Sequence, residues 1–106
     1  MAKKKQPKFY LRLKKRHAGF FAALDKLGQA VRKEGPLDER TTQLIQLGAA
    51  AAIRSEGAVH SHTRRALQAG ATPEEVRHAI LLVTSTIGFP NVVAASSWVE
   101  DILARK

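Results

Sequence analysis

Two histidines, His60 and His62, stand two residues apart in the run Ser55-Glu56-Gly57-Ala58-Val59-His60-Ser61-His62-Thr63-Arg64-Arg65-Ala66-Leu67. Histidine is the side chain best placed to take or give a proton near neutral pH, so this pair is the first candidate for acid or base chemistry. On a regular helix, residues two apart diverge by roughly 200°. The two imidazoles therefore cannot face one ligand together, and no metal site is expected from the pair. Near a helix start one of them can turn inward and the other toward a neighbouring subunit. His17 and His78 stand in no supporting motif and read as surface residues. The chain contains no cysteine. Disulfides, thiolate metal sites and thiol nucleophiles are excluded with it.

The residues after the pair fix how its helix is aimed. In Gln68-Ala69-Gly70-Ala71-Thr72-Pro73-Glu74-Glu75, Gly70 is a C-terminal stop and Thr72 a side-chain cap. Pro73 suits a first turn, and Glu75, three after Thr72, closes a capping box. Around this signal the pattern predicts five helices and no strand. The first covers about 9–33 and ends at Gly35-Pro36, because proline disfavours a helical residue before it. The second, about 39–54, starts after Asp38 as N-cap. The third covers about 57–69 and the fourth about 73–87, with Val76, Ile80, Val83 and Ile87 as one apolar stripe. Gly88-Phe89-Pro90 breaks the chain before a fifth helix at about 90–104. Small or apolar residues lie on more than one face from Ala49 to Ile53 and from Val92 to Ala95, which predicts an obligate oligomer. Trp98, with Val99 and Ile102 near it, is expected in core or interface packing.

At 106 residues, 44% apolar and 25% charged, the chain reads as one globular domain over 9–106 behind a basic leader, 1–8. Eight of the 18 basic residues precede residue 17, and no acid appears before Asp25. Subtracting those eight from the net charge of +9 leaves +1 for residues 17–106. Phe9 and Tyr10, interleaved with lysines, are compatible with nucleic acid. Leu11, Leu13, Phe20, Phe21, Leu24, Leu27 and Val31 fall at mostly helical spacing, which makes much of the charge the solvated face of a first helix. No apolar run approaches the ~20 residues of a membrane span, and no secretory signal follows the basic start. A cytoplasmic protein without membrane contact is expected.

Three segments together resemble the carboxymuconolactone decarboxylase and alkyl hydroperoxidase D (AhpD-like) superfamily. They are Thr41-Thr42-Gln43-Leu44-Ile45-Gln46-Leu47-Gly48-Ala49-Ala50-Ala51-Ala52, the turn from His62-Thr63-Arg64-Arg65-Ala66-Leu67 to Glu75-Val76, and Ile87-Gly88-Phe89-Pro90 with Asn91-Val92-Val93-Ala94-Ala95. The likeness covers about 37–103. It implies an all-α, orthogonal helical bundle that assembles with itself, commonly as a hexamer or a trimer of dimers.

In the hydroperoxidase branch the resemblance implies a glutamate, two cysteines three apart and a histidine four after the second. Here His62 holds the histidine position, Ser55 and Ala58 the cysteine positions and Gln43 the glutamate position. Thiol peroxidase chemistry is thereby lost, since a serine hydroxyl is far too weak an acid to replace a thiolate. The decarboxylase branch needs no cysteine, metal or organic cofactor, because the conjugated carbonyl of a carboxylated unsaturated lactone accepts the electrons itself. Such a site must bind a carboxylate, stabilise an enolate and deliver a proton. Arg54, Arg64 and Arg65 are candidate carboxylate forks. His62 is the candidate proton donor and Gln43 a neutral hydrogen-bond donor to an oxyanion. Glu56 is a candidate base, or the partner that holds His60. Three classes of function stay open at this point. They are a cofactor-free lyase or proton-transfer enzyme on a small acidic metabolite, a catalytically silent oligomeric scaffold or sensor, and a nucleic-acid-associated oligomer acting through the leader.

Overall fold

A computed structural model describes residues 7–104 of the chain, and among them every regular element is a helix. The chain divides into two compact units, one ending at Pro36 and the other beginning at Leu37. The dividing point is the Gly35-Pro36 breaker, while residue 8, where the expected basic leader ends, opens the first helix. Residues 1–6 of that leader lie outside the described residues.

The first unit holds α1 (Lys8–Arg16) and α2 (Ala18–Arg32). Sequence spacing predicts one continuous helix here, and the structure corrects that at His17, whose backbone sits at φ −123°, ψ 54°. Lys14, Lys15 and Arg16 fill the last turn of α1, where positive charge meets the negative end of the helix dipole. That placement favours ending the helix there. Within this unit Tyr10 and Phe20 each meet Phe21 edge to face, with ring centroids 5.6 and 5.5 Å apart. Phe20, Leu24, Leu27 and Val31 remain exposed along one stripe of α2.

The second unit holds α3 (Glu39–Ala52), α4 (Glu56–Gln68), α5 (Pro73–Leu82), α6 (Thr84–Ile87) and α7 (Phe89–Leu103). Each of the first three starts at a side-chain cap. Asp38 accepts from Thr41 N at 2.8 Å, and the Thr41 hydrogen bonds hold its carboxyl below the usual range. Ser55 Oγ accepts from Ala58 N at 3.2 Å. Thr72 and Glu75 form the predicted capping box, Glu75 N donating to Thr72 Oγ1 at 3.1 Å and Thr72 N to Glu75 Oε1 at 3.0 Å.

The ends of α3 and α4 close alike. Gly70, at φ +103°, ends α4 with Ala71 N bonding Ala66 O and Gly70 N bonding Leu67 O, the paired pattern of a left-handed C-cap. At the end of α3 the same pair of bonds runs from Ser55 N to Ala50 O and from Arg54 N to Ala51 O, with Arg54 in the left-handed region at φ +57°.

The predicted fourth helix is also divided. Val83 ends α5 by a bond to Ile80 O, and Thr84 Oγ1 donates to Leu81 O at 2.7 Å. Hydroxyl side chains that bond nearby carbonyls compete with the helical ladder, and the run from Thr84 to Thr86 carries three of them. Gly88, at φ +91°, then turns the chain into α7, with Pro90 in its first turn.

The core of this unit joins Leu47, Ala50 and Ala51 of α3 to Val59 and Ala66 of α4, Val76 and Ile80 of α5, and Val92, Ala95 and Val99 of α7. So many alanines let the helices approach closely and leave little room for substitution. Trp98 packs half-buried against this core, while Ile53, Leu82 and Phe89 stay exposed. Among the described residues no helix is long and apolar enough to cross a membrane.

Candidate functional site

Helix α4 is held at both ends by Ser55 and Gly70, and its two histidines point to different neighbours. His62 meets α3 through Gln43, and His60 meets α7 through Asp101.

On the α3 side, Gln43 is buried, 1% exposed, and both ends of its amide are used. Gln43 Nε2 donates to Glu39 Oε2 at 2.7 Å, one helical turn earlier on α3. A carboxylate can only accept, so the amide NH₂ must face Glu39 and Oε1 must face His62. His62 Nδ1 lies 2.8 Å from Oε1 and therefore carries the proton of that hydrogen bond. The tautomer follows, leaving Nε2 as the lone-pair nitrogen of the neutral ring. Burial pushes the His62 pKa below its ordinary value, and the positive charge of Arg65 adds to that. Near neutral pH the ring is thus uncharged, half-buried and basic at Nε2. Thr63, beside it in the chain, is fully buried with its hydroxyl unpartnered.

On the α7 side, His60 Nε2 lies 2.9 Å from Asp101 Oδ2. Glu56 stands one turn before His60 on α4, and one ligand atom from each of the three residues lies within 4.8 Å of the others. His60 Nε2–H thus donates to Asp101, and Glu56 stands as a second carboxylate beside the pair.

The arginines are spread over three places. Arg54 donates to Asn91 Oδ1, whose own Nδ2 donates to Ile87 O at 2.7 Å, so the strained end of α3 is tied to the start of α7. Arg65 is exposed and is the one whose charge reaches His62. Arg64 is half-buried.

Among the sequence candidates, then, Gln43, His62 and Arg65 form one group, His60 and Glu56 a second, and Arg54 stands with Asn91. Three contributors were not singled out from sequence: Glu39, Asp101 and Asn91. A signal existed for Glu39, which stands four residues before Gln43 on one helix face. Asp101 and Asn91 reach the site from a distant helix and carry no local signal.

A groove of about 610 Å³ opens between α3 and α5, lined by Leu44, Ile45, Ala79, Leu82 and others. Its titratable residues are Glu75, engaged in the α5 cap, and exposed His78. None of the His62 group lines it.

Comparison with curated proteins and with solved structures gives no significant match. Residues 18–101, from the first turn of α2 to Asp101, do match the profile of the carboxymuconolactone decarboxylase family. The matched stretch contains every residue of both histidine groups and leaves out α1. By this match over most of its length, the chain belongs to the carboxymuconolactone decarboxylase family.

Proposed function

We propose that the protein is a cofactor-independent decarboxylase or related proton-transfer enzyme acting on a small carboxylated metabolite, with His62 as the proton-handling residue. The observation that carries this reading is the chain Glu39–Gln43–His62, which fixes the ring's tautomer and leaves Nε2 uncommitted. Both ends of the buried Gln43 amide are spent on Glu39 and the imidazole, so the ring is held in one orientation.

The reaction would run as follows for a carboxylated unsaturated lactone. The bond between ring carbon and carboxylate breaks, carbon dioxide leaves, and the electron pair moves into the conjugated carbonyl as a dienolate. His62 Nε2–H then donates its proton to carbon and the ring returns to the neutral form. Nδ1–H keeps its bond to Gln43 in both protonation states, so the ring need not turn between steps. An anionic substrate held beside Arg65 offsets the charge that disfavours the imidazolium, and this raises the His62 pKa as it binds. Substrate binding should therefore be coupled to proton uptake.

The test is a screen of small unsaturated lactone carboxylates for carbon dioxide release, followed by calorimetry of a non-reacting analogue in buffers of differing ionisation enthalpy. Proton uptake in wild type that disappears in His62→Gln supports the reading. Turnover that survives His62→Gln sinks it. A homo-oligomer, hexamer or trimer of dimers, and a cytoplasmic setting form part of the same proposal. Exposed Ile53, Leu82, Phe89 and Val93 support self-association, because a partner surface would take large apolar side chains out of water.

A further inference from the structure

We propose that Glu56, His60 and Asp101 form a binding site for a divalent transition-metal cation, on the side of α4 turned away from His62. Glu56 and His60 are four residues apart and share one face of α4, and Asp101 comes from the last turn of α7. One donor atom from each lies within 4.8 Å of the other two, and His60 Nε2 is 2.9 Å from Asp101 Oδ2. Donors bound to one ion at about 2.0–2.2 Å stand at most about 4.4 Å apart. The cluster is therefore almost at bonding size, and Glu56, exposed in the first turn of α4, is free to close the difference.

The donor set selects the cation. Calcium takes six to eight oxygens and magnesium keeps much of its water, so a nitrogen donor with two carboxylates suits neither well. Imidazole and carboxylate together suit zinc and its neighbours in the first transition row. Two carboxylates match a dication in charge, and three protein ligands leave room for water. In the free protein His60 Nε2–H donates to Asp101. On binding, Nε2 gives up that proton to ligate the metal, and Nδ1 is then the ring nitrogen that carries N–H. Other charges on the packed helices are Arg64, one turn after His60 on α4, and Glu100 on α7, already paired to Arg77 at 2.7 Å. A bound ion would clip the start of α4 to the end of α7. This site does not rest on the proposed decarboxylase reading, since His62 takes no part in it.

The probe is zinc alone, titrated calorimetrically into tag-free full-length protein stripped with chelator, together with melting curves with and without zinc. Cobalt quenching of Trp98, three residues before Asp101 on α7, gives a local readout. One ion per chain and a zinc-raised Tm are expected. Glu56→Gln and Asp101→Asn should each weaken zinc by about tenfold or more, by comparison with the 10–100-fold typical of lost supporting contacts. Glu56→Gln touches an exposed residue and should melt like wild type without zinc, which separates lost ligation from lost folding. His62→Gln should bind zinc as wild type does. No zinc binding, equal binding in Glu56→Gln and Asp101→Asn, or loss of binding in His62→Gln would each overturn the proposal.

Discussion

The two faces of α4 carry the same side chain in opposite circumstances. On one, His62 bonds a neutral amide through Nδ1, and a positive charge acts on it from Arg65. On the other, His60 bonds a carboxylate through Nε2, with a second carboxylate beside it. A neutral partner at Nδ1 orients the ring and leaves its other nitrogen free to exchange a proton. A carboxylate at Nε2 occupies the nitrogen that would act and fixes the ring against α7. Residue type two positions apart thus says little about role, and the partner across the helix interface decides it.

The sharpest way to break this contrast is to delete each imidazole in turn. His62→Ala should lower kcat/KM by ~10²–10⁴, the usual worth of a positioned acid or base, whereas His60→Ala should change it by only a small factor. Equal losses would mean that the two faces serve one site. The pH profile sharpens the same point. With His62 as donor, kcat/KM should still be rising as pH falls past 6.5 and should level off only below the lowered pKa of the ring. The folded state disfavours the imidazolium, so its stability moves the other way. The His62 contribution is fully present above 6.5 and is lost as pH falls through the lowered folded value. His62→Ala should remove both limbs, and His60→Ala neither.

Next in size is Gln43→Leu, which leaves His62 Nδ1–H without the amide oxygen it bonds and removes the Gln43 bond to Glu39. Orphaning a buried polar group costs ~1–3 kcal/mol, and urea denaturation should show a loss in that range. A loss near zero would mean that the amide chain neither orients the ring nor contributes to stability.

How much of this could be read from residues alone follows from how local each cause is. The capping box at Thr72, the stop at Gly70, the cap at Asp38 and the divergence of His60 from His62 are set by spacings of two to three residues, and all were legible. The breaks at His17 and Val83 were not, because an apolar stripe continues across each and outweighs the weaker signals of a basic last turn and a hydroxyl run. The site was legible only in halves. Gln43 and His62 were named, yet their bond spans two helices, and Asp101 joins His60 from a third. Helix periodicity specifies which residues share a face and does not specify which faces meet.

Arg54 allows a smaller test, set against Gly70 at the matching end of α4. Both residues are left-handed, and only glycine is free of the Cβ penalty, ~1 kcal/mol for an ordinary residue. Arg54→Gly should therefore raise stability by roughly that amount, less whatever the bond to Asn91 contributes. If Arg54 also binds the substrate carboxylate, KM rises while the fold tightens. An unchanged KM would leave carboxylate binding to Arg64 and Arg65.

The smallest expected effect concerns the residue between these faces. Thr63 is fully buried, beside His62 in the chain, and its hydroxyl has no partner. A buried hydroxyl without a hydrogen bond is a net cost, so Thr63→Val, which replaces it with a methyl of similar size, should be neutral or stabilising by up to ~1 kcal/mol. The sign is the informative part. Destabilisation would mean that the hydroxyl is satisfied in solution by a water or by the Gln43 chain. The polar network behind His62 would then extend one residue further into α4, and the face assigned to proton transfer would be broader than its hydrogen bonds alone define.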